Sequence, residues 1–453
     1  MATTAAAELA IEEAGRDRGL VRGMGAVGLA AAIVNEVVGA GIFRLPASMA
    51  AAAGTAAPLA YLACLVAMGA IVLCFAEAGS RVPTSGGTYG YVGAAFGPLW
   101  GFVAGMLLYF SCVLALGGVA AALADIAGAA IPALGGTIPR ILIIIAAIGA
   151  TAWVNLCGVE KAARIISWAT LVKLLPLGLF LVVGVIGLAM GHGATAPIAH
   201  RPGAGLGEAI ILAMFALSGM ESPLAASGEV ANPTRNIPRA LLLAMGSVGL
   251  LYIGIQLVAE ALLGAALPGS AAPLADALGT LDPRWRPPLL AGAFFSMLCW
   301  LASDLLGAPR VLFAFARDGL LPARLGVTHP RWHTPHVAIV FHALAAILLA
   351  ITGTFIQLAI LAALATAGLY FLGCGSAMVL RRRGVAIMGK PLALPALPLI
   401  AVVGMVSMVA MVALAKWSEI AGLAAAIAAS MLLYAVMRPR ARARAGWSEG
   451  SAG

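Results

Sequence analysis

Apolar residues gather along the chain into twelve runs, each close to the roughly 20 residues a helix needs to cross a bilayer. Their limits are 23–49, 55–77, 89–127, 139–157, 165–190, 207–229, 240–264, 289–316, 335–351, 355–380, 393–414 and 418–437. The third is long enough to tilt or to project beyond the membrane. Polar and charged residues collect between the runs, and an even number of spans puts both termini on one side. Two runs are interrupted by glycine in the middle, the first at Asn35-Glu36-Val37-Val38-Gly39-Ala40-Gly41-Ile42-Phe43 and the sixth at Phe215-Ala216-Leu217-Ser218-Gly219-Met220-Glu221-Ser222-Pro223.

Composition agrees with this pattern: 62% of the residues are hydrophobic and 10% charged, against roughly 45–50% and 25% in soluble domains. Such a chain is an all-α polytopic membrane protein. The balance of 27 Lys and Arg against 18 Asp and Glu does not point to nucleic acid, because of where the charges lie. With both termini in the cytoplasm, 19 basic residues fall in inside segments, 5 in outside ones, counting Arg140 at the outer end of span four, and 3 (Arg44, Lys173, Arg310) deeper within spans. That is the asymmetry of the positive-inside rule. The run Arg438, Arg440, Arg442 and Arg444 is a topology anchor on this reading, with lipid-headgroup binding as the alternative. The six cysteines lie in apolar runs without metal-like spacing, so neither a disulfide framework, a metal site nor a cofactor is expected. The first run is too long for the core of a cleaved signal peptide, so the chain is expected to stay whole in the cell (inner or plasma) membrane.

Spans one to five (23–190) and six to ten (207–380) have similar lengths. Five is odd, so the second set enters from the opposite side as an inverted repeat. The expected order is an inside tail (1–22), the two repeats, two further helices (393–437) and a basic inside tail (438–453). Breaks in matching spans of two repeats point to a binding site near the membrane midplane. In span one the outer half-helix starts after Gly41 and aims free N–H groups at the centre, which suits a carboxylate. In span six the outer half-helix ends near Ser218 and offers free carbonyls, which suit an ammonium group. Ser222 can cap the restarting helix with Pro223 at its first position. Together the two walls fit an α-amino acid zwitterion. The alternative for Gly39 and Gly41 is close helix packing.

These pieces and several loop signatures resemble the amino acid permeases of the amino acid, polyamine and organocation superfamily. The matching stretches are Gly39–Phe43, Pro83-Thr84-Ser85-Gly86-Gly87-Thr88-Tyr89-Gly90-Tyr91-Val92, Glu229-Val230-Ala231-Asn232-Pro233-Thr234-Arg235-Asn236-Ile237-Pro238, and Ala316-Arg317-Asp318-Gly319-Leu320-Leu321-Pro322 with Thr334-Pro335. The resemblance implies the five-plus-five fold with discontinuous helices 1 and 6 and two extra helices, working by alternating access. It places carboxylate contacts on Ala40, Gly41 and Ile42, beside Gly39. Ammonium contacts fall on the carbonyls of Phe215, Ala216 and Ser218, beside Gly219, and Phe215 is an aromatic lid or else a structural ring. In sodium-coupled relatives a cation lies between spans one, five and eight; sodium-independent or proton-coupled members are similar to this chain in placing a lysine there. The arginine/agmatine antiporter branch differs in lacking Lys173, and no span-eight tryptophan matches its spacing before Asp318-Gly319.

Charges inside spans cost on the order of 2.5–3.5 kcal/mol each at the bilayer centre on the insertion scale, so each needs a reason. Lys173 lies about 12 Å into span five. Two readings stay open for it: a coupling group that gates span one through its protonation, or a structural substitute for sodium. Asp304 either meets a substrate side chain or neutralises Arg44 or Lys173. Arg44 pairs with Glu36 or Glu221, or meets an anionic substrate. Glu221 faces the cavity, and Glu77, Arg81 and Glu229, at inside ends of spans, form a gate with Glu36 and Arg44.

The sequence thus predicts a secondary amino acid transporter, proton-coupled or sodium-independent, with an amino acid, protons and the bilayer as its partners. An exchanger of cationic amino acids or polyamines is the alternative, suggested by Glu36, Glu221 and Asp304. An enzyme would need a convergent catalytic set, yet five histidines fall in or beside loops and His342 stands alone in span nine. A sensor that binds without transporting is the remaining class.

Overall fold

The structure is a computed structural model that describes residues 23–39, 41–83, 87–157, 159–198, 205–224, 227–387 and 389–449, with 159–171 and 439–449 described by backbone alone. Ala40, the 1–22 tail, Thr84 to Gly86, His200 and the side chains of Arg440, Arg442 and Arg444 therefore lie outside the described residues.

The described chain is all-α. Helices α1 (Ala26–Val37) and α2 (Gly41–Ala53) are followed by α3 (Ala57–Arg81), α4 (Gly87–Phe96), α5 (Pro98–Ala130), α6 (Thr137–Leu156) and α7 (Val159–Ala189). Next come α8 (Leu206–Leu217), the four-residue α9 (Glu221–Leu224), α10 (Pro233–Leu263), α11 (Pro273–Leu281), α12 (Arg286–Gly307) and α13 (Pro309–Arg317). The last four are α14 (His336–Thr352), α15 (Phe355–Arg382), α16 (Leu397–Ala413) and α17 (Trp417–Glu449). Among the described residues eight helices are long and apolar enough to cross a membrane, or nine when the bent pair α1 and α2 counts as one span. Two shorter apolar helices are α14 and α16. The protein is a polytopic membrane protein.

Burial separates centre from periphery. The apolar window of α5 is 89% buried, whereas those of α6 and α17 are 28% and 17% buried. Without a hydrophobic force between helices in lipid, close approach depends on small residues and polar bridges. Both hold α5 to α15: a Cβ on Gly118 would lie 3.3 Å from Leu358 Cβ, and the Ser111 and Thr366 hydroxyls meet at 2.6 Å. Leu142, Trp153, Val182 and Val185 are exposed on the outer helices, as a lipid-facing surface requires.

Two element boundaries differ from the sequence expectation. The run expected at 89–127 is divided at Gly97, whose φ of +94° is open to glycine at no steric cost. α4 therefore precedes a separate long α5. The helix after the sixth-run break starts at Glu221, so Ser222 and Pro223 lie inside its first turn and Ser222 is not its cap. The segment after it meets the residues just before α1, where Met24 N donates to the Glu229 carbonyl at 3.1 Å and Ala231 N to the Met24 carbonyl at 2.9 Å.

Candidate functional site

A helix that stops inside a protein leaves its last carbonyls without intrahelical partners, and buried acceptors need them. α1 stops at Val37 in a buried position, and three consecutive carbonyls there are taken by side chains from three other helices. The Lys173 ammonium on α7 donates to the Asn35 carbonyl. The Trp300 indole N–H on α12 donates to Glu36 at 2.7 Å, and the Tyr252 hydroxyl on α10 to Val37 at 2.9 Å. A cation at a helix C-terminus also meets the negative end of its dipole. The break is thus clasped from three sides.

On the facing segment α8 ends at Leu217, Ser218 is extended, and Gly219 has a φ of +118°, a conformation that L side chains rarely adopt. The Ser218 hydroxyl donates to the Phe215 carbonyl at 2.8 Å, so one lone pair of an expected ammonium contact is already used. Gly219 N–H donates to Glu221 Oε2 at 3.1 Å, and the same carboxylate oxygen accepts the Tyr370 hydroxyl at 2.5 Å. Glu221 closes the break from within.

Between these ends lies a pocket. Glu36, Gly39 and Gly41 line it from the first break, and Phe215, Ala216, Ser218, Gly219 and Glu221 from the second. α5 supplies Ser111, Cys112, Ala115 and Val119, and α12 supplies Trp300 and Asp304. Two further candidates, Ile42 and Lys173, are fully buried beside it. Each of its three carboxyl groups is engaged: Glu36 Oε2 accepts the Ser303 hydroxyl at 2.8 Å, Glu221 is held as above, and Asp304 Oδ2 lies 2.9 Å from His342 Nε2.

Several expected partnerships resolve differently. Arg44 donates to the Ser270 carbonyl at 2.5 Å, in the segment before α11 and not toward Glu36 or Glu221. Asp304 pairs with His342, which sequence spacing had left isolated. Trp300, which the sequence did not single out, stands at the first break. Nothing local marks either residue, because only the packing of α12 against α1 and α14 gives it a partner.

Glu77 and Arg81 come together away from the pocket. Arg81 Nη2 lies 2.8 Å from Glu77 Oε1, one turn away on α3. Arg81 also donates to the Val385 carbonyl at 3.2 Å. Glu77 Oε2 accepts Leu394 N–H at 3.0 Å and lies 3.6 Å from Arg381. The pair therefore ties α3 to the chain between α15 and α16, while the Glu229 side chain is exposed. Breaking one partner of a buried ion pair leaves the other charge uncompensated. Glu77→Gln is accordingly expected to cost about 3 kcal/mol, the low end of that range because an amide still accepts one bond. A melting curve in detergent checks this, and an unchanged midpoint would remove the pair from the account of stability.

Comparison with known proteins adds the family. A profile described as amino acid permease matches residues 24–437. An uncharacterised transporter of Mycobacterium bovis is 32% identical over 326 residues, covering 64% of this chain and 66% of its own. The branched-chain amino acid permease BcaP of Bacillus subtilis is 26% identical over 389 residues, covering 81% of this chain and 82% of its own. The permease of the same name from Lactococcus lactis is 29% identical over 390 residues, covering 78% and 80%. Among the described residues no cluster of three or more His, Cys, Asp and Glu could hold a metal ion. A chain of apolar helices matched over almost its whole length by this profile is a transporter and not an enzyme, and it belongs to the amino acid permease family.

Proposed function

We propose that this permease is a sodium-independent secondary transporter of zwitterionic amino acids, working by alternating access through twelve spans in a five-plus-five inverted repeat. Spans one and six are discontinuous, both termini are cytoplasmic, and the site sits in the cell membrane at the two breaks. The observation that carries the reading is the clasped end of α1 facing the turn at Gly219 across one pocket. The substrate carboxylate goes to the N–H groups that open α2, Gly41 and Ile42 with Ala40, and its ammonium to the carbonyls of Ala216 and Ser218. Lys173 occupies the position of a cation at the first break, which removes the need for sodium.

For the side chain we propose small and branched aliphatic groups. The α5 wall of Cys112, Ala115 and Val119 and the Phe215 ring are apolar, while Ser303, Tyr370 and His342 already hold the three carboxyl groups. The names of the Bacillus and Lactococcus relatives agree with this choice. A cationic amino acid or polyamine is the second reading, favoured by the acidity of Glu36, Glu221 and Asp304.

Counterflow in proteoliposomes tests the proposal. Labelled leucine, isoleucine or valine is expected to enter against a pool of the same amino acid, with choline replacing sodium at no loss. Preferential entry of arginine or putrescine would select the second reading. No entry of any label, with binding retained, would indicate a sensor.

A further inference from the structure

Asp304 lies on the pocket wall, and His342 stands behind it, off the pocket lining. Both side chains are almost fully buried, at 2% and 0% exposure. Histidine within a membrane span is rare and needs a reason, and neutralising Asp304 accounts for only one of its nitrogens. Nε2 faces Asp304, whereas Nδ1 has no protein partner among the described residues. A second orphan lies beside it: the Tyr109 hydroxyl of α5 is buried and unbonded, and its ring meets the His342 ring edge-on at 5.5 Å between centroids. Two unsatisfied polar atoms, on rings that touch behind the carboxylate of the pocket wall, leave hydrogen-bonding capacity there unused.

We propose that Asp304 and His342 together are the proton-binding site that couples this transporter to the proton gradient. The proposal rests on the transport reading above. With neutral imidazole and ionised Asp304 the pair carries one negative charge. One proton from water on the entry side adds to the ring nitrogen, forming an N–H bond and an imidazolium beside the carboxylate, and the pair becomes neutral. The same proton leaves to water on the other side. With substrate filling the pocket and excluding water, only the neutral pair is suited to the change of access, because a lone buried carboxylate is poorly tolerated there. The empty carrier returns with water in the pocket beside the ionised carboxylate, so each cycle moves one proton with one substrate. Other titratable groups around the pair are Tyr109 and Cys112 of α5 and Glu36 of α1, all within electrostatic reach of Asp304, with Glu221 across the pocket. α6, packed on α14, carries Arg140, which is bonded to Asp125 and the Ala350 carbonyl. α13 carries Arg310 and also Arg317, set over the Phe313 ring. Lys173 serves the α1 terminus.

The test compares wild type with His342→Gln in proteoliposomes that hold a pH-sensitive dye, using labelled leucine. With one pH unit across the membrane and one proton per substrate, wild type is expected to accumulate leucine about tenfold and to acidify the lumen when leucine is added. His342→Gln keeps a donor for Asp304 but cannot take up the proton. Its pair cannot be neutralised with leucine bound, so it is expected to lose counterflow and accumulation together while keeping the wild-type melting midpoint and its stabilisation by leucine. Tenfold accumulation by the variant would overturn the proposal. Independently of any variant, counterflow by wild type without leucine-dependent acidification would overturn it while leaving the transport reading intact. Absence of counterflow in wild type for every amino acid would sink both.

Discussion

Lys173→Ala is expected to lower amino acid uptake by about a hundredfold or more. The side chain is fully buried and its ammonium donates to the Asn35 carbonyl at the end of α1. Truncation leaves that carbonyl without its donor, at about 1–3 kcal/mol. It also removes a cation within electrostatic reach of Glu36, which leaves that buried carboxylate less compensated. Only the conformations in which α1 is held at this point bear the difference. A shift of ~3 kcal/mol between conformations is already about a hundredfold in their ratio. Uptake in proteoliposomes across pH, with protein yield and melting midpoint as controls for folding, checks the expectation. Wild-type rate and unchanged pH dependence in the variant would remove Lys173 from the mechanism.

That role was half legible in the sequence. An ionisable residue deep in an apolar run announces itself, because lipid exacts a cost for it. Its partner does not, because the Asn35 carbonyl belongs to a backbone that reads the same everywhere. The glycines of Asn35–Phe43 and Phe215–Pro223 were legible for a similar reason: apolar composition makes any interruption conspicuous. The long apolar helices followed directly from length and hydropathy. Side chains that reach across helices were not legible. Trp300 in an apolar run looks like packing, and His342 looks solitary, until the fold brings Glu36 and Asp304 to them. The division at Gly97 was hidden because α4 and α5 are both apolar, so hydropathy runs unbroken through a backbone that turns.

The second large effect is expected at Gly39. A Cβ placed there would lie 2.7 Å from Trp300 Cδ1 and 2.8 Å from Nε1, closer than side-chain carbons approach in practice. The indole of Gly39→Ala must therefore move, and the ring that moves is the one donating to the Glu36 carbonyl at 2.7 Å. Overpacking costs about 1–3 kcal/mol, and the vacated carbonyl about the same again. Transport is then expected to fall at least ~30-fold, which corresponds to about 2 kcal/mol. The cause can be isolated by a double-mutant cycle. Trp300→Ala alone loses the N–H and is itself impaired, but it removes all the ring atoms that the new methyl would strike. Adding Gly39→Ala to Trp300→Ala is then expected to cost much less than adding it to wild type, with a coupling of about 1–3 kcal/mol between the two positions. If the two losses simply add, the methyl acts elsewhere, and the close approach of Gly39 to the indole is not what holds the first break in its working shape.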